Sequence, residues 1–261
     1  MHQGAWLLWA TAAGLVAIST TNPFYLLALV GVALLVHAAC ARPGPALRSL
    51  KVFVAFGLIT IVTRTGLTFL SPPVSASSVV TGLLEGLRLA TLLTVFGTFN
   101  AVSDPSAILK LAPRRFHEAS LAAALALSIA PRTVVAAGEV REAQRMRGIH
   151  VSRLRMLPAL AVPVLETGME QAMALAESMD ARGHGRGRRS RYRTQRWDRG
   201  SLAVSLGAAL ALAVFVIAGR IGHGDLSVST YPLVWPDVSV VLVGILLALC
   251  VPVAVDPAPQ R

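Results

Sequence analysis

Two short runs, Glu142-Ala143-Gln144-Arg145-Met146-Arg147-Gly148 and Ser178-Met179-Asp180-Ala181-Arg182-Gly183, each close a helix-like segment with an Arg-Gly step. Both lie within residues 102–200, which carry 17 of the 24 Lys/Arg and nine of the 13 Asp/Glu of a 261-residue chain. Everything outside that polar insert is close to uncharged. With a mean hydropathy of +0.64 and 14% charged residues, the chain reads as an all-α integral membrane protein interrupted by one polar insert.

A membrane-crossing helix needs about 20 apolar residues. Segments 5–20, 23–41, 50–70, 79–101, 201–219 and 237–255 meet that need. Three parts follow: 1–101 with four spans, the insert 102–200, and 201–261 with two spans. The first two spans are joined by Thr20-Thr21-Asn22-Pro23, a polar turn ending in a proline that starts a helix. The 42–51 loop holds Arg42, Arg48 and Lys51, whereas the 71–78 loop holds no charge. The bias of Lys and Arg toward cytoplasmic loops therefore puts the N-terminus, the insert and the C-terminus inside the cell. The first five residues lack the Lys or Arg of a signal-peptide n-region.

Three ionisable residues fall within spans: Arg64, Glu85 and Arg88. Arg64 lies seven residues before the 71–78 loop and Glu85 seven after it. In an antiparallel hairpin both sit about 10 Å below one surface, so an Arg64–Glu85 ion pair is expected, with a substrate-binding charge as the alternative. Gly82, Gly86 and Ala90 recur every four residues on the same helix, a face suited either to close internal packing or to docking another membrane protein.

Within the insert, Asp104-Pro105-Ser106 has the form of a helix N-cap followed by proline. A second segment runs from about 117 through Pro131 to Arg147. Its apolar part, Ala119–Ala130, is about 12 residues long, short of a span by itself, and a tilted seventh span is the alternative. A third segment, about 153–182, has apolar residues at helical spacing from Leu157 to Met179, while Glu166, Glu170 and Glu177 lie off that stripe. Pro158 and Pro163 are expected to break or bend its first turns. The Arg-Gly ends admit two readings. Glycine past a helix end accepts the left-handed C-cap, with arginine complementing the dipole. Alternatively, an arginine fixed at a helix tip is a directional plug for carboxylates or carbonyls.

At these residues the chain resembles the transmembrane (T) component of energy-coupling factor (ECF) transporters, the EcfT or CbiQ-like family, marked by two Ala-Arg-Gly-type motifs on cytoplasmic coupling helices. The first stands here as Arg145-Met146-Arg147-Gly148, with methionine in place of alanine. The second is Ala181-Arg182-Gly183, with His184 where an aromatic residue is expected. Asn22-Pro23, Thr98 through Pro113 and the Arg-rich residues 186–196 extend the likeness. The resemblance implies partners: two ABC ATPase subunits, each receiving one motif arginine in a groove, and a membrane substrate-binding S component seated on the coupling helices. It implies uptake of a vitamin or a transition-metal ion across a bacterial cell membrane. Arg145, Arg147, Gly148, Ala181, Arg182 and Gly183 become the expected ATPase-coupling residues. Met156, Met169, Met173 and Met179 offer either an adaptable surface for S components or ordinary packing.

Other classes find less in the chain. A P-loop requires Gly-Lys, and Lys51 and Lys110 each follow leucine, so ATP hydrolysis falls to other chains. A membrane-integral enzyme requires a constellation such as paired Asp or Gly-x-Ser-x-Gly, which is absent, and the six histidines are scattered. No metal site or cofactor is expected, and Cys40 and Cys250 read as small apolar residues. A self-contained secondary transporter requires polar or broken helices at the membrane midplane. Nucleic-acid binding is not expected from an insert whose aromatics are Phe116, Tyr192 and Trp197. The arginines of 186–199 suit anionic lipid head groups as an accessory property.

Overall fold

The computed structural model describes residues 2–41, 45–70, 75–148, 157–184, 197–221 and 240–255. The 42–44 and 71–74 loop residues, the whole Arg-rich run 186–196, Met156 and the 222–239 connection lie outside the described residues. Every regular element among the described residues is helical: α1 Gln3–Ser19, α2 Pro23–Cys40, α3 Pro45–Leu70, α4 Ala76–Val102, α5 Pro105–Leu109, a 3-10 turn Arg114–Phe116, α6 His117–Met146, α7 Leu157–Ala181, α8 Arg199–Ile221, α9 Val240–Leu249 and α10 Val251–Val255. In lipid, only helices and closed barrels satisfy every backbone polar group.

The chain forms two compact units, Met1–Leu111 with Gln195–Arg261, and Ala112–Thr194. The first is a helical bundle with a core of Trp9, Val16, Tyr25, Leu26, Leu29, Val36, Val95, Val204, Ile245 and Leu249. Local signals start its helices. Asn22 accepts from the Phe24 amide ahead of α2, Ser75 and Ser78 form a capping box on α4, and Asp104 accepts from Ser106 N ahead of α5. Small residues bring the helices together. A Cβ on Gly86 would stand 2.7 Å from Ile61 Cα, and one on Gly82 3.1 Å from Arg64 O. The Gly82, Gly86 and Ala90 face thus packs against α3 inside the chain. Thr91 and Thr98 of α4 donate to Leu26 O and Ala33 O of α2 at 3.5 and 3.1 Å. Such hydroxyl bonds across apolar helices add to the close packing.

The C-terminal span departs from expectation. In place of one helix over 237–255, α9 ends at Leu249 and α10 resumes at Val251. Pro252 has no N–H to continue the ladder, and the Val253 amide turns to Cys250 O at 3.0 Å. The indole Nε1 of Trp9 donates to Leu249 O at 3.0 Å. Gly207 of α8 lies so near Ala248 O that a Cβ there would stand 2.6 Å from it.

The second unit pairs α6 with α7. Both helices run unbroken through prolines, Pro131 in α6 and Pro163 in α7. Neither Pro158 nor Pro163 breaks α7, and the carbonyl that Pro163 leaves without an amide receives another donor (below). The span count also shifts. Among the described residues, five helices are long and apolar enough to cross a membrane: Pro23–Cys40, Leu50–Leu70, Ala76–Val102, Glu118–Met146 and Arg199–Ile221. Gln3–Ser19 and Val240–Val255 are apolar but shorter. Glu118–Met146 reaches this length because α6 continues past Ala130, where the apolar stretch alone is too short.

Candidate functional site

Both Arg-Gly steps build the same helix end. In α6, Met146 is the last helical residue and Arg147 the C-cap, with φ −81° and ψ 6°. Its amide reaches Ala143 O at 3.2 Å, and the Gly148 amide reaches Arg145 O at 3.0 Å. In α7, Arg182 N bonds Ser178 O at 3.2 Å, Gly183 N bonds Asp180 O at 2.8 Å and His184 N bonds Met179 O at 3.0 Å. The last two bonds form a Schellman motif. Gly148 has φ +78° and Gly183 φ +74°, and no other described residue has a positive φ. The chain must enter the left-handed region there to stop the helix, and glycine does so without the Cβ penalty.

That geometry leaves each arginine at a helix tip. Arg147, Arg182 and Arg145 are exposed, as is Ala181, and Met146 is 85% exposed. Neither Arg147 nor Arg182 joins an ion pair among the described residues. Two guanidinium groups, always charged and carrying five donors each, are thus presented outward at matching stations.

The residue missed in the sequence is Gln144, one turn before Arg147. Its side chain is buried, and Nε2 donates to Ala159 O of α7 at 3.1 Å. Ala159 O is the carbonyl that would bond the amide of residue 163. Proline there has no amide. Gln144 supplies the missing donor, locking α6 to α7 beside the first arginine tip. A polar residue just ahead of a helix end, facing a segment with an interior proline, is the one signal that could have pointed to it.

The unit leaves much apolar surface open. Val134, Val135, Val162, Leu165, Met169 and Met173 are 61–73% exposed. In the first unit, Arg64 Nη1 stands 3.4 Å from Glu85 Oε2. They line an open groove of about 410 Å³ with Leu67, Thr68, Ser78, Thr81 and Gly82. Among the described residues no cluster of three or more His, Cys, Asp or Glu could hold a metal ion.

An all-α bundle with membrane-length apolar helices, joined in sequence to an exposed helix pair with twin arginine tips, defines an all-α integral membrane protein. Sequence comparison adds two similar proteins. The chain is 28% identical over 146 residues to the energy-coupling factor transporter transmembrane protein EcfT of Streptococcus thermophilus, covering 50% of this chain and 54% of that protein. It is 28% identical over 140 residues to the EcfT of Streptococcus equi subsp. equi, covering 49% and 52%. The chain spans about half the length of the curated relatives it matches. No protein-family model matches it. Over about half its length, the chain is thus similar to transmembrane proteins of energy-coupling factor transporters.

Proposed function

We propose that this chain is the coupling subunit of an ECF-type importer, passing ATP-driven motion from two ABC ATPase subunits to a membrane S component that carries a vitamin or a transition-metal ion. It is non-catalytic in this reading. Arg147 and Arg182 are the plugs, one for each ATPase, with Gly148 and Gly183 setting their direction and Arg145 and Ala181 flanking them. The observation that carries the reading is the repetition: two exposed arginines, each at the C-cap before a left-handed glycine, in one helix pair. The named relatives add independent support. The open apolar surface of α6 and α7, Met169 and Met173 included, serves as the platform for the S component.

In this reading the protein is multi-pass in a bacterial cell membrane, with both termini and the α6–α7 unit cytoplasmic. Arg132, Glu139, Arg141 and Glu142 along the second half of α6 favour water over lipid there. The test is co-expression with the partner ATPases. Arg147→Ala and Arg182→Ala should each weaken ATPase co-purification, and the double variant should abolish it together with uptake. Normal ATPase retention and uptake in the double variant would falsify the assignment.

A further inference from the structure

The groove between α3 and α4 holds polar groups whose bonding capacity the chain uses only in part. Arg64 lies six residues before Leu70, the last of α3, and Glu85 nine after Ala76, the first of α4. At 1.5 Å per residue they stand about 9 and 13 Å from the loop end of the hairpin. That is short of the midplane of a hydrocarbon layer about 30 Å thick. Ser78 and Thr81 lie nearer the loop end, so the groove runs inward along the helices from there.

One contact, Nη1 to Oε2 at 3.4 Å, joins Arg64 to Glu85. Among the described residues neither side chain has another partner. The guanidinium therefore keeps spare donors, and Glu85 Oε1 keeps its lone pairs. Both side chains are about half exposed and line the groove. Two hydroxyls join them. Thr68 Oγ1 donates to Thr65 O at 2.6 Å, and Thr81 Oγ1 donates to Ser77 O at 2.8 Å. Each has committed its one proton within its own helix and retains acceptor lone pairs. The groove thus offers one cationic donor and three acceptors, with no net charge.

A matching ligand must bring an anion for Arg64 and N–H donors for the acceptors, side by side. A lone anion would leave the acceptors unmet, and a lone cation the guanidinium, each at a cost in lipid. The surroundings ask for an apolar body as well. Leu67 lines the groove and is 52% exposed, and Ile59 and Val62, 57% and 72% exposed, extend apolar surface away from the loop end. We infer that the groove seats the head group of a zwitterionic phospholipid with a primary ammonium. Its phosphate accepts from Arg64, its ammonium donates to Glu85, Thr68 and Thr81, and its acyl chains lie along Ile59 and Val62. A quaternary ammonium carries the same charge but no N–H, so it cannot make the second set of bonds. The inference concerns α3 and α4 alone and does not rest on the coupling role of Arg147 and Arg182.

The test offers the full chain, in detergent micelles, equal amounts of phosphatidylethanolamine and phosphatidylcholine with identical acyl chains. Bound lipid is counted by native mass spectrometry. Wild type should retain about tenfold more of the ethanolamine lipid, and adding methyl groups to its nitrogen one at a time should lower retention stepwise. Thr81→Val leaves the ion pair in place and should reduce the preference about threefold. Glu85→Gln should remove most of it, and Arg88→Gln, outside the groove lining, should preserve it. Circular dichroism checks that each variant is folded, and the lipid series on wild type needs no variant. Equal retention of the two lipids by wild type overturns the proposal, as does a preference unchanged in both Thr81→Val and Glu85→Gln. Stronger retention of phosphatidylglycerol than of the ethanolamine lipid assigns the groove to a simple anion. Displacement of the lipid by an equal concentration of O-phosphoethanolamine assigns it to a soluble ligand. Either result also overturns it.

Discussion

Gln144 of α6 donates to the carbonyl of Ala159 in α7 at 3.1 Å, the carbonyl left without its helical partner by Pro163. This bond satisfies a carbonyl inside a proline-containing helix and ties that helix to its neighbour near Arg147. Ala159 is partly buried, and losing a hydrogen bond there costs about 0.5–1.5 kcal/mol. Gln144→Leu should therefore lower the stability of the α6–α7 unit by that order. Pro163→Ala restores the amide, so the same Gln144 change should cost much less in that background. Thermal unfolding of the four proteins in detergent gives the cycle, and purely additive effects would rule the explanation out.

The two glycines at the arginine tips should answer to backbone conformation alone. A Cβ at Gly148 or Gly183 meets nothing within 4 Å, yet both have positive φ. Alanine at either should destabilise by about 1 kcal/mol, and asparagine by less. Gly138, inside α6 with equally open space and no positive φ, should respond in the opposite direction. There alanine should stabilise by about 0.5–1 kcal/mol. Melting temperatures of the full chain decide, and a stabilising Gly183→Ala would contradict the helix-stop role.

The α3–α4 seam should tolerate no side chain at Gly86. The first atom that a methyl group there would meet is backbone, Ile61 Cα at 2.7 Å, which cannot rotate away. Gly86→Ala should push the helices apart, and Gly86→Val more so, increasing the spin-label distance between residues on α3 and α4. Gly31→Ala, where a Cβ meets nothing within 4 Å, is the matched control. Unchanged distances in Gly86→Val would show that the seam is looser than the packing implies.

Arg64 and Glu85 should behave as a pair. Both side chains are about half exposed, 47% and 48%, but in a bilayer that exposure faces a medium hostile to lone charge. Removing either charge alone should destabilise the chain in nanodiscs more than removing both, and the swap Arg64→Glu/Glu85→Arg should recover most of the loss. If the double neutral variant is the least stable of the set, the two groups do not act as a unit.

Much of the architecture was readable residue by residue because its causes are local. Apolar runs near span length set where helices lie, Asn22, Ser75 and Asp104 start them, and the Arg-Gly steps end two of them at positive φ. The depth match of Arg64 and Glu85 needed only the rise of a helix and the direction of a hairpin. The length of α6 and the break at Cys250 were not readable in this way. The side-chain bonds found beside Pro163 and Pro252 join groups distant in sequence: 15 residues separate Gln144 from Ala159, and 240 separate Trp9 from Leu249.

The chain's own order of residues thus determined that it is a helical membrane protein with a polar insert, and it marked the two arginine tips. Tertiary structure alone decided that Gly82, Gly86 and Ala90 face α3, and that Gln144 donates to the carbonyl left without an amide by Pro163. The physical reason is that packing and hydrogen-bond partners belong to pairs of helices. A single helix, however clearly written, does not specify which of its faces a neighbour will cover.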